Sequence, residues 1–173
     1  MSNEIDDADL RLLRALRDDG RLSVSELAQR ALVSRATAYL RLQRLQEAGV
    51  LQGFSARVDS AQLGMDVTAI ILVSARQTDW RTLKDELLSF EEVEYFAYIT
   101  GSFDALLVVR VPDMHHLRDV VLERLHTLPE VRSTQTSFVL EEVIRRPYVL
   151  PADGRQQARH EAPQVTRHKT RQV

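Results

Sequence analysis

The sequence predicts an α+β chain, with an N-terminal winged-type helix-turn-helix domain followed by a ferredoxin-like βαββαβ domain. Three observations predict it. No proline precedes Pro112, so the first half can be helical without interruption, and capping residues recur there at each restart of the apolar period. Beyond Gly53 the apolar period shortens to two over four separate stretches. These alternate with two helical stretches in the order strand–helix–strand–strand–helix–strand. That is a split βαβ arrangement, with an antiparallel sheet and both helices on one face.

Taken in order, Asp6 or Asp7 can cap a first helix that carries Leu10, Leu13 and Leu16 on one face and ends before Gly20. Ser23-Val24-Ser25-Glu26 has capping-box spacing and opens a short second helix through Leu27, Ala28 and Ala31. Leu32-Val33 breaks the register. Ser34 caps a third helix running to about Ala48 and stopped by Gly49, with Ala38, Leu42 and Leu45 on one face. Ala36, Leu40, Gln43 and Glu47 point the opposite way. Strands are expected over 67–76, 95–100, 105–111 and 131–144. Trp80, Leu83, Leu87 and Leu88 mark a helix between the first two, with Trp80 in the core. Leu117, Val120, Val121, Leu122, Leu125 and Leu128 mark another between the last two. The implied division is 1–53 for the helix-turn-helix, 54–66 for a linker strand, 67–147 for the ferredoxin-like domain and 148–173 for a flexible, polar tail.

Composition excludes several classes. The 173 residues contain no cysteine, which removes disulfides, thiolate zinc sites, iron–sulfur clusters and cysteine nucleophiles together. The run Ala69-Ile70-Ile71-Leu72-Val73 is far short of the roughly 20 apolar residues of a membrane helix. The acidic start lacks the apolar core of a secretory signal, so a cytoplasmic, nucleoid-associated protein with no membrane partner is expected. A net charge of −2 opposes nucleic-acid binding only if it is evenly spread, and it is not. Residues 1–57 stand at +1, 58–150 at −6 and 151–173 at +3, and within 21–57 six arginines face only Glu26 and Glu47. Arginine makes up 21 of the 23 basic residues, a bias that composition alone can produce, so the positions of the arginines matter more than their number.

Three short helices with a tight break before the third are the layout of a helix-turn-helix, whose third helix must present donors to phosphates and base edges in the major groove. The residues so placed are Ser34, Arg35, Ala36 and Thr37, followed by Tyr39, Leu40, Arg41 and Arg44. Small Ala36 permits close approach, Thr37 can donate to phosphate, and Arg35 can reach phosphate or guanine. The same pattern also fits a plain three-helix packing element with a solvated arginine face. In the second half, Ile70, Leu72, Leu106 and Val108 make the sheet face away from the helices apolar too. A second copy of the chain is the simplest cover, and a two-fold dimer would present two third helices to a pseudo-palindromic double-stranded operator. A third-party partner, or the linker near 58–63, would cover it as well.

The chain resembles the Lrp/AsnC (feast/famine) family of regulators over about residues 5–145. The resemblance lies in Asp6-Asp7-Ala8-Asp9-Leu10, Gly20-Arg21-Leu22-Ser23, Glu26-Leu27-Ala28 and the run from Val33-Ser34-Arg35-Ala36-Thr37 to Arg41-Leu42-Gln43-Arg44-Leu45. It continues in Ala48-Gly49-Val50-Leu51-Gln52-Gly53-Phe54, Gly101-Ser102-Phe103-Asp104-Ala105, Leu128-Pro129-Glu130-Val131 and Thr134-Gln135-Thr136. It implies a sequence-specific transcriptional regulator with no enzymatic activity, whose ferredoxin-like part is a RAM domain, related to ACT domains. That domain would dimerise, assemble further into an octamer, and sense an amino acid or related small effector. The sensing residues carried over are Gly101, Ser102, Phe103 and Asp104 in the turn between the central strands, with Thr134, Thr136 and Phe138 on the fourth strand. An amino acid needs an acceptor for its amine and backbone donors for its carboxylate. Asp104 offers the first and the bare backbone of Gly101 admits the second, although both also suit an ordinary hairpin, with Gly101 at positive φ and Asp104 capping the loop.

No cofactor or metal is expected. His115 and His116 are adjacent on a helix and face about 100° apart, too divergent to chelate one ion. The alternative function is an ACT-like small-molecule-sensing regulatory subunit of a metabolic enzyme. RNA binding by the sheet would need aromatics on its central strands, and 105–111 has none.

Overall fold

The computed structural model describes residues 5–76 and 80–151; residues 1–4, 77–79 and 152–173 and the side chains of Trp80 and Val120 lie outside that description. The expectations for the tail beyond 151 and for Trp80 and Val120 in the core therefore fall outside it too. The chain divides into two compact units, Met1–Ala56 with Ile144–Val173, and Arg57–Val143.

In the first unit, α1 (Asp7–Asp18) begins at Asp6, which closes a reciprocal capping box with Asp9: Asp9 N donates to Asp6 Oδ1 at 2.9 Å and Asp6 N to Asp9 Oδ2 at 3.0 Å. The same device opens α2 (Val24–Ala31), where Ser23 N donates to Glu26 Oε2 at 2.8 Å. Leu32 then takes φ +57°, turning the chain sharply before α3 (Arg35–Glu47). Leu12, Ala15, Leu16, Leu27, Ala28, Ala31 and Ala38 pack together at the centre of the three helices. A second cluster, Ile5, Leu10, Leu13 and Leu45, has Leu150 packed against it. Tyr148 reinforces this by donating its hydroxyl to Leu13 O at 2.6 Å, and Arg14 reaches Pro151 O at 3.4 Å. Residues 148–151, where the flexible tail was expected to begin, meet α1 through Tyr148 and Leu150.

The second unit is one four-stranded antiparallel sheet in the order β2-β3-β1-β4, from β1 (Val67–Ala75), β2 (Val93–Tyr98), β3 (Ala105–Val111) and β4 (Val131–Phe138). Helix α4 (Trp80–Leu88) joins β1 to β2. The β3–β4 connection is continuous helix, from α5 (Met114–His116) through a π turn (Leu117–Leu122) to α6 (Glu123–Thr127). Leu83, Leu87, Leu117, Val121 and Leu125 lie buried on Ala69, Ile71, Val73, Leu107 and Val109 of the central strands. Leu117, Val121 and Leu125 recur every four residues, and the wider π turn offsets the drift that such spacing has on a 3.6-residue helix. Leu88 is exposed rather than core, one residue past the face defined by Leu83 and Leu87.

Three expected borders move. Strand β2 begins at Val93, with an irregular register between Val93 and Tyr95 that hides the alternation. Strand β4 ends at Phe138 instead of 144; Val139 N still donates to Thr68 O at 2.9 Å, but β1, its only neighbour, begins at Val67 and offers no partner further on. No strand occurs among residues 54–66, which hold only a 3₁₀ turn, Ala61–Leu63. Both sides of β1 are already occupied, and an unpaired strand has little stability of its own.

Candidate functional site

Helix α3 carries the expected recognition residues, and the structure sorts them into two groups. Ser34 caps the helix, its Oγ accepting from Thr37 N at 3.0 Å and lying 2.8 Å from Thr37 Oγ1, so both hydroxyls sit at the exposed N-terminal end. Arg35, Ala36, Tyr39 and Leu40 are exposed and, with Val24 of α2, line an open depression of about 800 Å³. Apolar Tyr39 and Leu40 are 59% and 64% exposed, although the opposite face of α3 buries Ala38 and Leu45 completely.

Arg41 and Arg44 turn the other way. Arg41 Nη1 donates to both carboxylate oxygens of Asp6 at 2.7 Å and to Asp9 Oδ1 at 3.0 Å, while Arg44 Nη2 donates to Asp9 Oδ2. Asp9 is wholly buried, so its charge is acceptable only because two guanidinium groups and the Asp6 amide compensate it. Burial pushes the Asp6 carboxyl up, but the Asp9 amide and the Arg41 guanidinium outweigh this and hold it at about 2. The expectation that Arg41 and Arg44 point outward for contact is corrected in this respect: their first partners are the carboxylates at the start of α1. Sequence reasoning missed those carboxylates, whose only signal was the capping box they also form.

The second cluster lies at the turn between β2 and β3. Gly101 has φ +126°, a value that glycine alone adopts readily. Asp104 locks the turn onto β1: its N donates to Val73 O at 2.9 Å, its Oδ2 accepts from Ala75 N at 2.8 Å, and its O accepts from Ile99 N at 2.9 Å. Beside it Arg81 and Lys84 of α4, with Tyr98, Ile99 and Asp104, line a cavity of about 530 Å³. The corner thus holds two cations, a carboxylate and an aromatic hydroxyl around an open space, a donor and acceptor set that suits a small zwitterion. Arg81, Lys84, Tyr98 and Ile99 were not among the expected residues, although Arg81 and Lys84 are three apart and so share a helical face.

Thr134, Thr136 and Phe138 are not among this lining. They face the helix-covered side of the sheet on edge strand β4, paired with Val73, Ile71 and Ala69, and Thr134 Oγ1 lies 3.2 Å from His126 Nε2. Gly101 and Ser102 are exposed and Phe103 is half-buried. The far face of the sheet presents Ile70, Leu72, Leu106 and Val108, each half-buried, with no described segment packed across them as a layer. At one end of that face Arg110 is fixed by Thr68 Oγ1 at 2.6 Å, Glu94 at 2.7 Å and Glu142 at 2.9 Å. Among the described residues no group of three or more His, Asp or Glu side chains is arranged to hold a metal, and no helix is long and apolar enough to cross a membrane.

Known proteins share both units. The model of the Lrp/AsnC ligand binding domain matches residues 68–149, and a winged helix-turn-helix DNA-binding model matches residues 5–52. An HTH-type transcriptional regulator of Pyrococcus horikoshii is 33% identical over 136 residues, 79% of this chain and 86% of the relative. The solved structure of AsnC from Escherichia coli superposes with a TM-score of 0.75 at 30% identity, covering 83% of this chain and 97% of that one. A transcriptional regulator of Neisseria meningitidis, solved as a complex with L-methionine, does so with a TM-score of 0.74 at 27% identity, covering 84% and 96%.

Proposed function

The chain belongs to the Lrp/AsnC family of transcriptional regulators, and from that premise we propose that α3 reads an operator while the corner beside Asp104 holds an amino acid that tunes that reading. The observation that carries the first part is the division of α3. One side is consumed by Asp6, Asp9 and the core, which leaves Ser34, Arg35, Ala36, Thr37, Tyr39 and Leu40 for the major groove. Arg35 supplies the cation for phosphate or guanine, and Ser34 and Thr37 approach phosphate at the helix N-terminus.

At the corner, Arg81 and Lys84 would take the carboxylate and Asp104 the amine, with Gly101, Ser102 and Phe103 closing over the turn. The cationic α4 residues replace the backbone donors expected from sequence. The relative from Neisseria, solved with L-methionine, supports an amino acid as the class of effector. Thr134, Thr136 and Phe138 have a place in this reading only if assembly brings a second copy to β4. The apolar face of Ile70, Leu72, Leu106 and Val108 supports a homodimer whose two α3 helices address a two-fold operator, with further assembly to an octamer. Regulation of an enzyme subunit is less favoured, since it gives the helix-turn-helix unit no task.

The test pairs two measurements on the full chain. Gel-shift titration against duplexes selected from a random pool should reveal a preferred sequence, and a thermal-shift screen of the twenty amino acids should reveal a stabilising effector. If no sequence is enriched above the starting pool, the operator reading is wrong. If none of the twenty amino acids moves the melting temperature, the corner is not an amino-acid site.

A further inference from the structure

The outward side of α3 is short of charge for a surface that meets DNA. Arg41 and Arg44 are engaged by Asp6 and Asp9, so Arg35 is the one arginine of α3 on the outward patch. The rest of that patch is apolar: Val24, Ala36, Tyr39 and Leu40 surround the same depression, with Leu40 64% exposed. A lone exposed leucine needs no explanation, but an apolar cluster on the element that enters the groove does. Phosphate and sugar offer such a cluster no gain. The major groove offers one apolar partner, the C5 methyl group of thymine.

We infer that Leu40 and Ala36, flanked by Tyr39, read thymine methyl groups, so that the operator half-site is specified by thymines at the positions facing them and not chiefly by arginine–guanine pairs. The proposal rests on the operator reading above and adds the chemistry of that readout. Ala36 and Leu40 are one helical turn apart, a rise of about 6 Å. With α3 lying along the groove, that spans roughly two base-pair steps of about 3.4 Å, so the methyls read by the two residues lie about that far apart. Tyr39, about 100° round the helix from Leu40, walls the depression.

The probe is the duplex enriched from a random pool by the full-length chain, with its thymines replaced one at a time by deoxyuridine. This removes the methyl and leaves every hydrogen-bonding group in place. Burying one such group is worth about a four-fold change in affinity. One or two thymines in each half-site should therefore show about four-fold weaker binding as deoxyuridine. Leu40→Ala should bind the thymine duplex several-fold more weakly and lose the discrimination at the thymine facing residue 40, to below two-fold, while keeping it at the thymine facing Ala36. Arg35→Ala should keep the discrimination while lowering the salt slope by about 0.9. Leu40 is exposed, so folding is not at risk, and Leu40→Ser gives a second, polar version of the same test. A uniform insensitivity to deoxyuridine overturns the inference, as does discrimination that survives at every thymine in both Leu40 variants. A Leu40→Ala variant that changes the assembly's mass by light scattering, with discrimination intact, also overturns it and assigns the patch to a second copy of the chain. Failure to enrich any sequence removes the operator reading and this inference with it.

Discussion

Arg41 donates from Nη1 to Asp9 Oδ1 at 3.0 Å, tying the middle of α3 to a wholly buried carboxylate at the start of α1. The bond spans 32 residues and makes the setting of α3 depend on the capping residues of another helix. Arg44 meets the other oxygen of the same carboxylate. Asp9→Ala would leave Arg44 without its carboxylate and Arg41 with Asp6 alone. The loss expected is about 2–3 kcal/mol, below the figure for a fully buried pair because Arg41 and Arg44 remain partly exposed. Urea unfolding of the full chain measures it.

The same geometry separates the arginines by role. Arg35→Ala should reduce the slope of log affinity against log salt by about 0.9, the value of one phosphate contact. Arg41→Ala and Arg44→Ala should instead lower the unfolding midpoint and leave the slope nearly unchanged. Salt-dependent gel-shift titration of the three variants decides the matter, and a full slope loss in Arg44→Ala would return that residue to the interface.

Acid should weaken this cluster. The Asp6 carboxyl has an ordinary value of 3.8 and stands at about 2 in the folded chain. A depressed carboxylate contributes stability that is complete above its unfolded value and is lost as pH falls through the folded one. The unfolding temperature should therefore fall between about pH 4 and pH 2, and Asp6→Asn should flatten that part of the profile while lowering the plateau at pH 7. The effect is modest because the Asp6 side chain is half exposed.

Leu32 is the only non-glycine residue with positive φ among those described, and it is 81% exposed. It contributes little burial and bears the left-handed conformation at the end of α2, which costs a branched side chain roughly 1–2 kcal/mol. Leu32→Gly relieves that cost but adds freedom to the unfolded chain, for a net gain of up to about 1 kcal/mol. A lower melting temperature in this variant would mean that the leucine has a partner in the assembled protein.

Local signals were legible in the sequence and distant ones were not. Ser23 with Glu26 marks a helix start through a partner three residues away, and Asp6 or Asp7 marks another; the structure shows the Ser23 box and settles the second on Asp6, with Asp9 closing its box. The period of two in 67–76 and 105–111 likewise gave β1 and β3, since both strands pack one face on helices. The end of β4 was hidden because Val139, Leu140 and Val143 prolong an apolar pattern, while β1 begins at Val67, next to the Thr68 that accepts from Val139 N. The orientation of Arg41 and Arg44 depends on residues more than 30 positions away, and that of Tyr148 on Leu13, 135 positions away. At the corner, the turn 101–104 was visible as a motif, but Lys84 and Tyr98 join it only through the packing of α4 on β2.

That last juxtaposition gives the sharpest test of the proposed sensing site, because Asp104 would have two tasks there. Its Oδ2 accepts the Ala75 amide, so Asp104→Ala removes a buried acceptor and should lower stability by about 1 kcal/mol as well as binding. Lys84→Met keeps the aliphatic stem of a half-buried residue and removes only the charge. It should leave the resting melting temperature within about 2 °C and abolish most of the shift given by the effector from the amino-acid screen. Asp104→Asn keeps an acceptor for Ala75 and loses the anion that faces an amine, so it should match Lys84→Met in effector response and exceed Asp104→Ala in stability. An effector shift retained in both Lys84→Met and Asp104→Asn would move the proposed site away from this cavity and toward Thr134 and Thr136 on β4.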